Sequence, residues 1–401
     1  MALSRRSFVA GLAAAAVVRP RAALAPAPAP AQMAERFDPW VEVDSAALLE
    51  NAATLARLAG GRPILAVVKN NAYGAGYSEA ARVLERSPHV EGFAVVKTAE
   101  AYTLRDAGVA KPVLLMAVFT DGDGPELVRR DVSLALATDH GPAWAARAAR
   151  AAGRPARAHF YVDTGLGRMG MPAHRALPWM LEAQSAEGVR IEGTFMTFTE
   201  DDAFDPEQLR RFRELVAAAR ARGASVGRLH AASSHSVFNR PDGHLDLVRP
   251  GISLFGAYPT DDGRERAIAE LVPALRLRAR VVRVERLREG DSVGYGRRWT
   301  ARAPIWTATL PVGHTDGYPR TAVEGARVLV GGTTRPVIGA VSASHCIVEL
   351  GAETTVSVGD VATFMGPDAP ELQPNALATV TGTSVYDRLM HLSPLIPRVV
   401  V

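Results

Sequence analysis

The chemistry of this chain is most legible around one lysine. The run Ile64-Leu-Ala-Val-Val-Lys69-Asn-Asn-Ala-Tyr73-Gly-Ala-Gly76-Tyr77 leads an apolar stretch into Lys69 and a glycine-containing loop out of it. A lysine at the end of a buried strand loses hydration, and lost hydration favours the neutral amine. A neutral amine is a Schiff-base nucleophile, whereas a guanidinium keeps its proton and is a poor one. Only three of the 46 basic residues are lysines, namely Lys69, Lys97 and Lys111. Where arginine serves as the generic cation, a lysine in such a setting points to amine chemistry. Tyr73, four residues on, can turn back toward the same site.

A lysine at a strand end needs a scaffold to hold it there. In a parallel α/β barrel, catalytic groups lie at the C-terminal ends of the strands. From Phe37 to about residue 260, short apolar runs alternate with amphipathic stretches. The runs include 63–69, 92–96, 113–117, 158–162, 193–198 and 247–254. Helical periodicity marks 46–58, with Asp44 or Ser45 as its cap, and then 78–86, 99–107, 143–152 and 206–221. This alternation predicts a (β/α)8, TIM-like barrel over residues 38–270. After about residue 270 the segments 275–284, 305–310, 326–330, 336–341, 347–350 and 360–364 read as strands between Gly, Pro and Asp turns. Residues 271–401 are therefore expected to form a C-terminal, mostly-β domain.

Composition narrows the function classes. The chain has 401 residues, 48% hydrophobic and 22% charged, and is expected to fold into a sizeable core. No apolar run reaches the roughly 20 residues that span a bilayer, so stable membrane insertion is not expected. A single cysteine, Cys346, excludes a disulfide framework and a cysteine-rich metal centre. The first 32 residues carry Arg5, Arg6, Arg19 and Arg21 and no acid, and the remainder is charge-balanced. No basic face remains for nucleic acid. Two arginines before the short apolar run 8–18, then an Ala/Pro-rich stretch, look like a twin-arginine export signal over 1–32. Ala29-Pro30-Ala31 offers a cleavage site, and a periplasmic or secreted location follows as an expectation.

Several ordered blocks resemble the alanine racemase family over nearly the whole chain after residue 38. The lysine run looks like that family's pyridoxal 5'-phosphate motif. Trp40-Val-Glu-Val-Asp-Ser-Ala-Ala-Leu-Leu-Glu-Asn51 is similar to its first strand and helix. Val162-Asp-Thr-Gly-Leu-Gly-Arg168-Met-Gly170, His230-Ala-Ala-Ser-Ser234 and Val248-Arg249-Pro-Gly251-Ile252 match further blocks. So do Gly294-Tyr295-Gly-Arg297, Leu310-Pro-Val-Gly313-His-Thr-Asp-Gly-Tyr-Pro-Arg320, Ser384-Val-Tyr386 and the closing Pro397-Arg-Val-Val-Val401.

The resemblance implies a racemase acting on amino acids. Lys69 would hold the cofactor and act as a base on one face of the substrate Cα. Tyr295 would serve the other face, coming from the partner subunit of a homodimer. A tyrosine needs nearby positive charge or hydrogen bonds to act as a base near neutrality, and His230 is the expected partner. Arg249 would face the pyridine nitrogen and, keeping its own proton, leave that nitrogen unprotonated. Phosphate contacts fall to Tyr73, Ser234, Tyr386 and the backbone N–H groups of Gly251 and Ile252, with Ser233 assisting. Arg168 would reach the cofactor's phenolic oxygen or the substrate carboxylate, and His314 and Ala343 would border the substrate.

The chain departs from the family pattern around the substrate. Tyr161 stands where the family often has a lysine that orients the arginine, so Arg168 must be held otherwise. Thr197 replaces a histidine that stacks on the cofactor ring, His314 a tyrosine, Ala343-Ser344 a Met-Asp pair, and Ala75 a histidine after the lysine loop. These changes predict a roomier pocket and a different or broader substrate range. An aldolase or dehydratase acting on D-amino acids, and a non-catalytic binder of cofactor or amino acid, remain the alternatives.

Overall fold

The computed structural model describes residues 36–260 and 263–401, and the export segment expected over 1–32 lies outside them. Parallel strands curl side by side in chain order: Ile64–Val67, Val90–Val95, Val113–Leu115, Val132–Leu136, Ala156–Asp163, Val189–Phe195 and Arg228–His230. Met171–Pro172 pairs alongside Ala156–Asp163, off this path. Residues 247 and 248 close the ring, bridging His230 on one side and Ile64 on the other. Leu65 N–H donates to Val248 C=O at 2.9 Å and Val67 N–H to Pro250 C=O at 3.0 Å. Pro250 has no N–H, so this segment cannot run on as a two-sided strand. It turns instead into the 3-10 segment Ile252–Phe255. The 247–254 run is thus a two-residue closure followed by a turn.

Helices cover the outside of this ring. Ser45–Leu58 is capped by Asp44, whose carboxylate accepts from Ala47 N–H at 3.0 Å. Tyr77–Glu85, Thr98–Asp106, Gly141–Ala152 and Asp205–Ala221 fall within two residues of the amphipathic stretches. Gly124–Arg129 and Ala173–Ala183 are harder to read in the sequence. The first has six residues, and the second carries Pro178 inside it.

The second sheet has nine strands, with Leu275–Arg280 between Val361–Met365 and Trp40–Val43. One face of Leu275–Arg280 is buried. On the other, Arg276 pairs with Asp44 and Asp368, and Arg278 with Glu42 and Asp368. The expected strand 275–284 divides at Val281 and Val282, because Arg283–Leu287 leaves to pair with Ile305–Leu310. A larger correction concerns Trp40–Val43, expected to open the barrel. It lies antiparallel to Leu275–Arg280 and parallel to Arg398–Val400, in the β domain. Val41 and Val43 are fully buried there, within the main hydrophobic core. No helix of the described residues is long and apolar enough to cross a membrane.

Candidate active site

Ile64–Val67 is buried along its length and delivers Lys69 to the C-terminal mouth of the barrel. The backbone then does something costly. Asn70, Asn71, Ala72 and Tyr73 all have φ between +50° and +58°. Each L-residue in that left-handed conformation costs roughly 1–2 kcal/mol. The turn brings Lys69 and Tyr73 to one cavity of about 510 Å³, so the tyrosine does turn back as its spacing suggested.

Neighbours hold the strained turn in place. The buried Glu100 carboxylate accepts from Asn70 N–H at 2.9 Å, Tyr77 O–H at 2.9 Å and Val96 N–H at 3.0 Å. Lys97 Nζ donates to Asn70 Oδ1 at 2.9 Å. From the far end of the chain, Arg398 Nε donates to Gly74 C=O at 2.9 Å. Sequence reasoning assigned no role to Glu100 or Arg398. The available signals were an acid in the first turn of a helix and an arginine in the closing strand.

One end of the cavity is built for an anion. Tyr73 and Tyr386 are close, with ring centroids 6.4 Å apart, and no described residue accepts from either hydroxyl. Ser234 Oγ accepts from Gly251 N–H at 2.9 Å and Ser253 N–H at 3.3 Å, leaving its own O–H to donate outward. Ile252 N–H, at the start of its turn, has no acceptor among the described residues. A Cβ on Gly251 would come within 2.2 Å of Tyr73 Oη, so the wall needs glycine there. Convergent donors without acceptors around a cavity fit a phosphate group.

Two of the expected phosphate contacts already have partners within the chain in this geometry. Gly251 N–H is already taken by Ser234 Oγ. Ser233 lines the cavity, but its hydroxyl donates to Glu200 Oε1 at 3.1 Å.

The other end is cationic. Burial, and then the charge of Arg168, lower the Lys69 pKa, against the pull of Glu100 and Glu200. The amine is therefore neutral over a wider pH range than an ordinary lysine. Arg168 lines the cavity and makes no hydrogen bond or ion pair with any described residue. No described residue replaces the orienting lysine that Tyr161 displaces. Tyr161 instead stacks on Phe195 at 4.3 Å, and its hydroxyl lies 3.3 Å from Thr197 Oγ1. The two departures are neighbours. Arg249 is buried, and burial lowers its pKa to about 10, so it stays charged at neutral pH. Its Nη2 donates to Met196 C=O at 2.8 Å and Ala231 C=O at 3.1 Å.

His230 is not where its expected role needs it. It is fully buried behind Arg249, and its ring nitrogens face Arg249 and His159. The assignment of His230 as partner of Tyr295 is therefore corrected, because both nitrogens are already engaged. Tyr295, His314 and Ala343 are absent from the cavity lining as well. Tyr295 is 79% exposed on the β domain. His314 and Ala343 lie together there, since Thr315 N–H and Oγ1 both donate to Ala343 C=O.

Family models agree with this arrangement. The alanine racemase N-terminal domain matches residues 43–259, and the alanine racemase C-terminal domain matches residues 274–400. The chain belongs to the alanine racemase family. It is 34% identical over 368 residues to the alanine racemase of Geobacter sulfurreducens, covering 89% of this chain and 96% of that one. It is 33% identical over 365 residues to that of Geobacter sp. (strain M21), covering 88% and 96%. Among solved structures, the alanine racemase of Streptomyces coelicolor A3(2) superposes with a TM-score of 0.84 at 31% identity, covering 91% of this chain and 98% of that one. The family is pyridoxal phosphate-dependent, and the chain is accordingly a racemase that uses this cofactor. The cradle of Tyr73, Ser234, Ile252 and Tyr386 fits a phosphate, and Lys69 and Arg249 line the same cavity.

Proposed function

We propose that the protein interconverts L- and D-amino acids, alanine or a broader range, by a two-base reaction in a homodimer. Pyridoxal phosphate, when bound, supplies the electron sink that makes the substrate Cα proton acidic. Lys69 takes or returns that proton on one face, and burial, by lowering its pKa, favours the unprotonated amine this task needs. Arg168, with no partner among the described residues, is left to hold a carboxylate or a phenolic oxygen. Arg249, charged and buried, can only donate toward the group it faces.

The second base is Tyr295. The observation that carries this reading is its position: 79% exposed on the β domain and outside the cavity that holds Lys69. An aromatic residue this open suits a surface that completes the site of a second subunit. A test is to mix two inactive variants, Lys69→Ala and Tyr295→Phe, and allow their subunits to exchange. A mixed dimer keeps one site with both bases, so activity returns. Exchanged dimers that stay inactive refute the shared site.

The substrate range is broader than alanine in this proposal, because Tyr161, Thr197, His314, Ala343 and Ser344 remove the family's usual groups. Side-by-side turnover of L-amino acids in D2O, with chiral separation, ranks the substrates. Alanine as the best by a wide margin rejects the broader range. Export by the twin-arginine route is proposed from Arg5 and Arg6. Cell fractionation of the native chain and of an Arg5→Lys, Arg6→Lys variant tests it.

A further inference from the structure

Arg249 is held from behind by two histidines in series. Arg249 Nη1 lies 2.8 Å from His230 Nδ1, and His230 Nε2 lies 2.9 Å from His159 Nδ1. A guanidinium offers only donors. His230 Nδ1 must therefore accept, and a neutral His230 carries its proton on Nε2. That proton is donated to His159 Nδ1, which leaves the His159 proton on its own Nε2. The opposite order would set a His230 Nδ1–H against an Arg249 N–H.

The surroundings enforce this order. Burial, and then the charge of Arg249, hold both imidazoles neutral, His159 at about 3 and His230 well below the usual histidine range. The other charges bearing on the pair, Arg157 and Arg228, act in the same direction. Phe195 stacks on His230 at 5.0 Å with the planes 16° apart, and the Arg249 guanidinium sits 5.2 Å from the same ring. On the neighbouring strand, a Cβ at Gly193 would fall 2.4 Å from His159 Nδ1, so glycine makes room for the imidazole.

The column ends at the opposite mouth of the barrel. There His159 lines a second cavity of about 390 Å³ together with Glu91, Ser133, Glu192 and Arg228. The acids in this cavity are engaged: Glu91 pairs with Arg228, and Glu192 lies near Arg157 and Arg190. His159 Nε2 has no acceptor among the described residues, and water entering this cavity can serve it.

We propose that His159 is a positioning residue for racemisation: by accepting from His230 Nε2 it fixes His230 as the acceptor for Arg249, and so fixes the guanidinium at the cofactor end of the cavity. The link to racemisation rests on the function proposed above, whereas the proton order is a property of the chain alone.

The test uses the full-length holoenzyme labelled with 15N-histidine. Ring-nitrogen chemical shifts should show a bare Nδ1 and a protonated Nε2 on both His159 and His230. His159→Gln keeps an acceptor, and should retain the His230 pattern and kcat within about threefold. His159→Leu removes it, and should give a mixed His230 tautomer, a shifted cofactor absorbance band and a kcat lower by about tenfold with KM little changed. A protonated Nδ1 on His230 in the native protein would overturn the proposal. So would a His159→Leu variant with native shifts and native kcat. If that variant does not fold, the native tautomers and the glutamine variant still decide. A native protein with the expected tautomers and no racemase activity would reject the functional reading and not the column.

Discussion

Asn70 N–H donates to the Glu100 carboxylate at 2.9 Å, so the first residue after Lys69 is held by a buried acid on the next helix but one. The same carboxylate accepts from Val96 N–H and Tyr77 O–H, which leaves no room for an apolar replacement. Glu100→Ala strands several buried donors, each costing about 1–3 kcal/mol when unpaired. The variant should lose at least about 2 kcal/mol in urea unfolding, and its kcat should fall because the left-handed turn relaxes. Native kcat in a folded variant would mean that the turn holds itself.

Lys69 gives a stability that depends on pH. Its folded pKa is lowered by burial from the ordinary 10.5, so the unfolded chain binds the proton more tightly than the folded one. Below the folded pKa the charged amine therefore carries a constant penalty. The penalty shrinks as pH rises from the folded pKa and is gone above about 10.5. Lys69→Met should raise the stability of the cofactor-free protein at neutral pH, and the gain should vanish in the alkaline range. Thermal unfolding of both proteins from neutral to alkaline pH reads the difference.

Gly251 tests the phosphate cradle without touching a charged group. A methyl there meets Tyr73 Oη at 2.2 Å and must push the phenol out of the anion end. Gly251→Ala should weaken cofactor binding roughly ten- to a hundredfold, the scale of overpacking a tight wall. Titration of the cofactor-free protein by absorbance gives the number. Unchanged affinity would move the phosphate to another part of the cavity.

Arg398 offers a contrast between two cations. Its guanidinium donates to the carbonyls of Gly74, Leu392, Ser393 and Ile396 at once. An ammonium cannot span these four acceptors. Arg398→Lys should be destabilised by about 2 kcal/mol or more, nearly as much as Arg398→Met. Full rescue by lysine would show that charge alone matters there.

The cradle is legible in the sequence because its chemistry is local. A buried strand ending in lysine, a tyrosine four residues later and a glycine pair are contiguous, and the ordered blocks supply Ser234, Arg249 and Tyr386. What the sequence conceals is set by contacts between distant segments. His230 lies on a strand of only three residues, and its ring is turned inward by Arg249 after the closing segment and His159 on another strand. Glu100 looks like a solvated helix acid until the lysine turn is folded against it. Trp40–Val43 reads as a barrel strand, but its buried valines are packed by residues more than 200 positions away. Arg168 lines the cavity, and its lack of a partner among the described residues emerges only in three dimensions.

Arg398–Val400 pairs with Trp40–Val43, and Arg398 also anchors the turn after Lys69. Lys69 leaves the ribosome long before the strand that locks its loop. Until Arg398 is made and docks, Gly74 C=O lacks its guanidinium donor and the turn after Lys69 goes unclamped. The lysine loop is thus completed by a late contact, and its assembly waits on a strand of the other sheet.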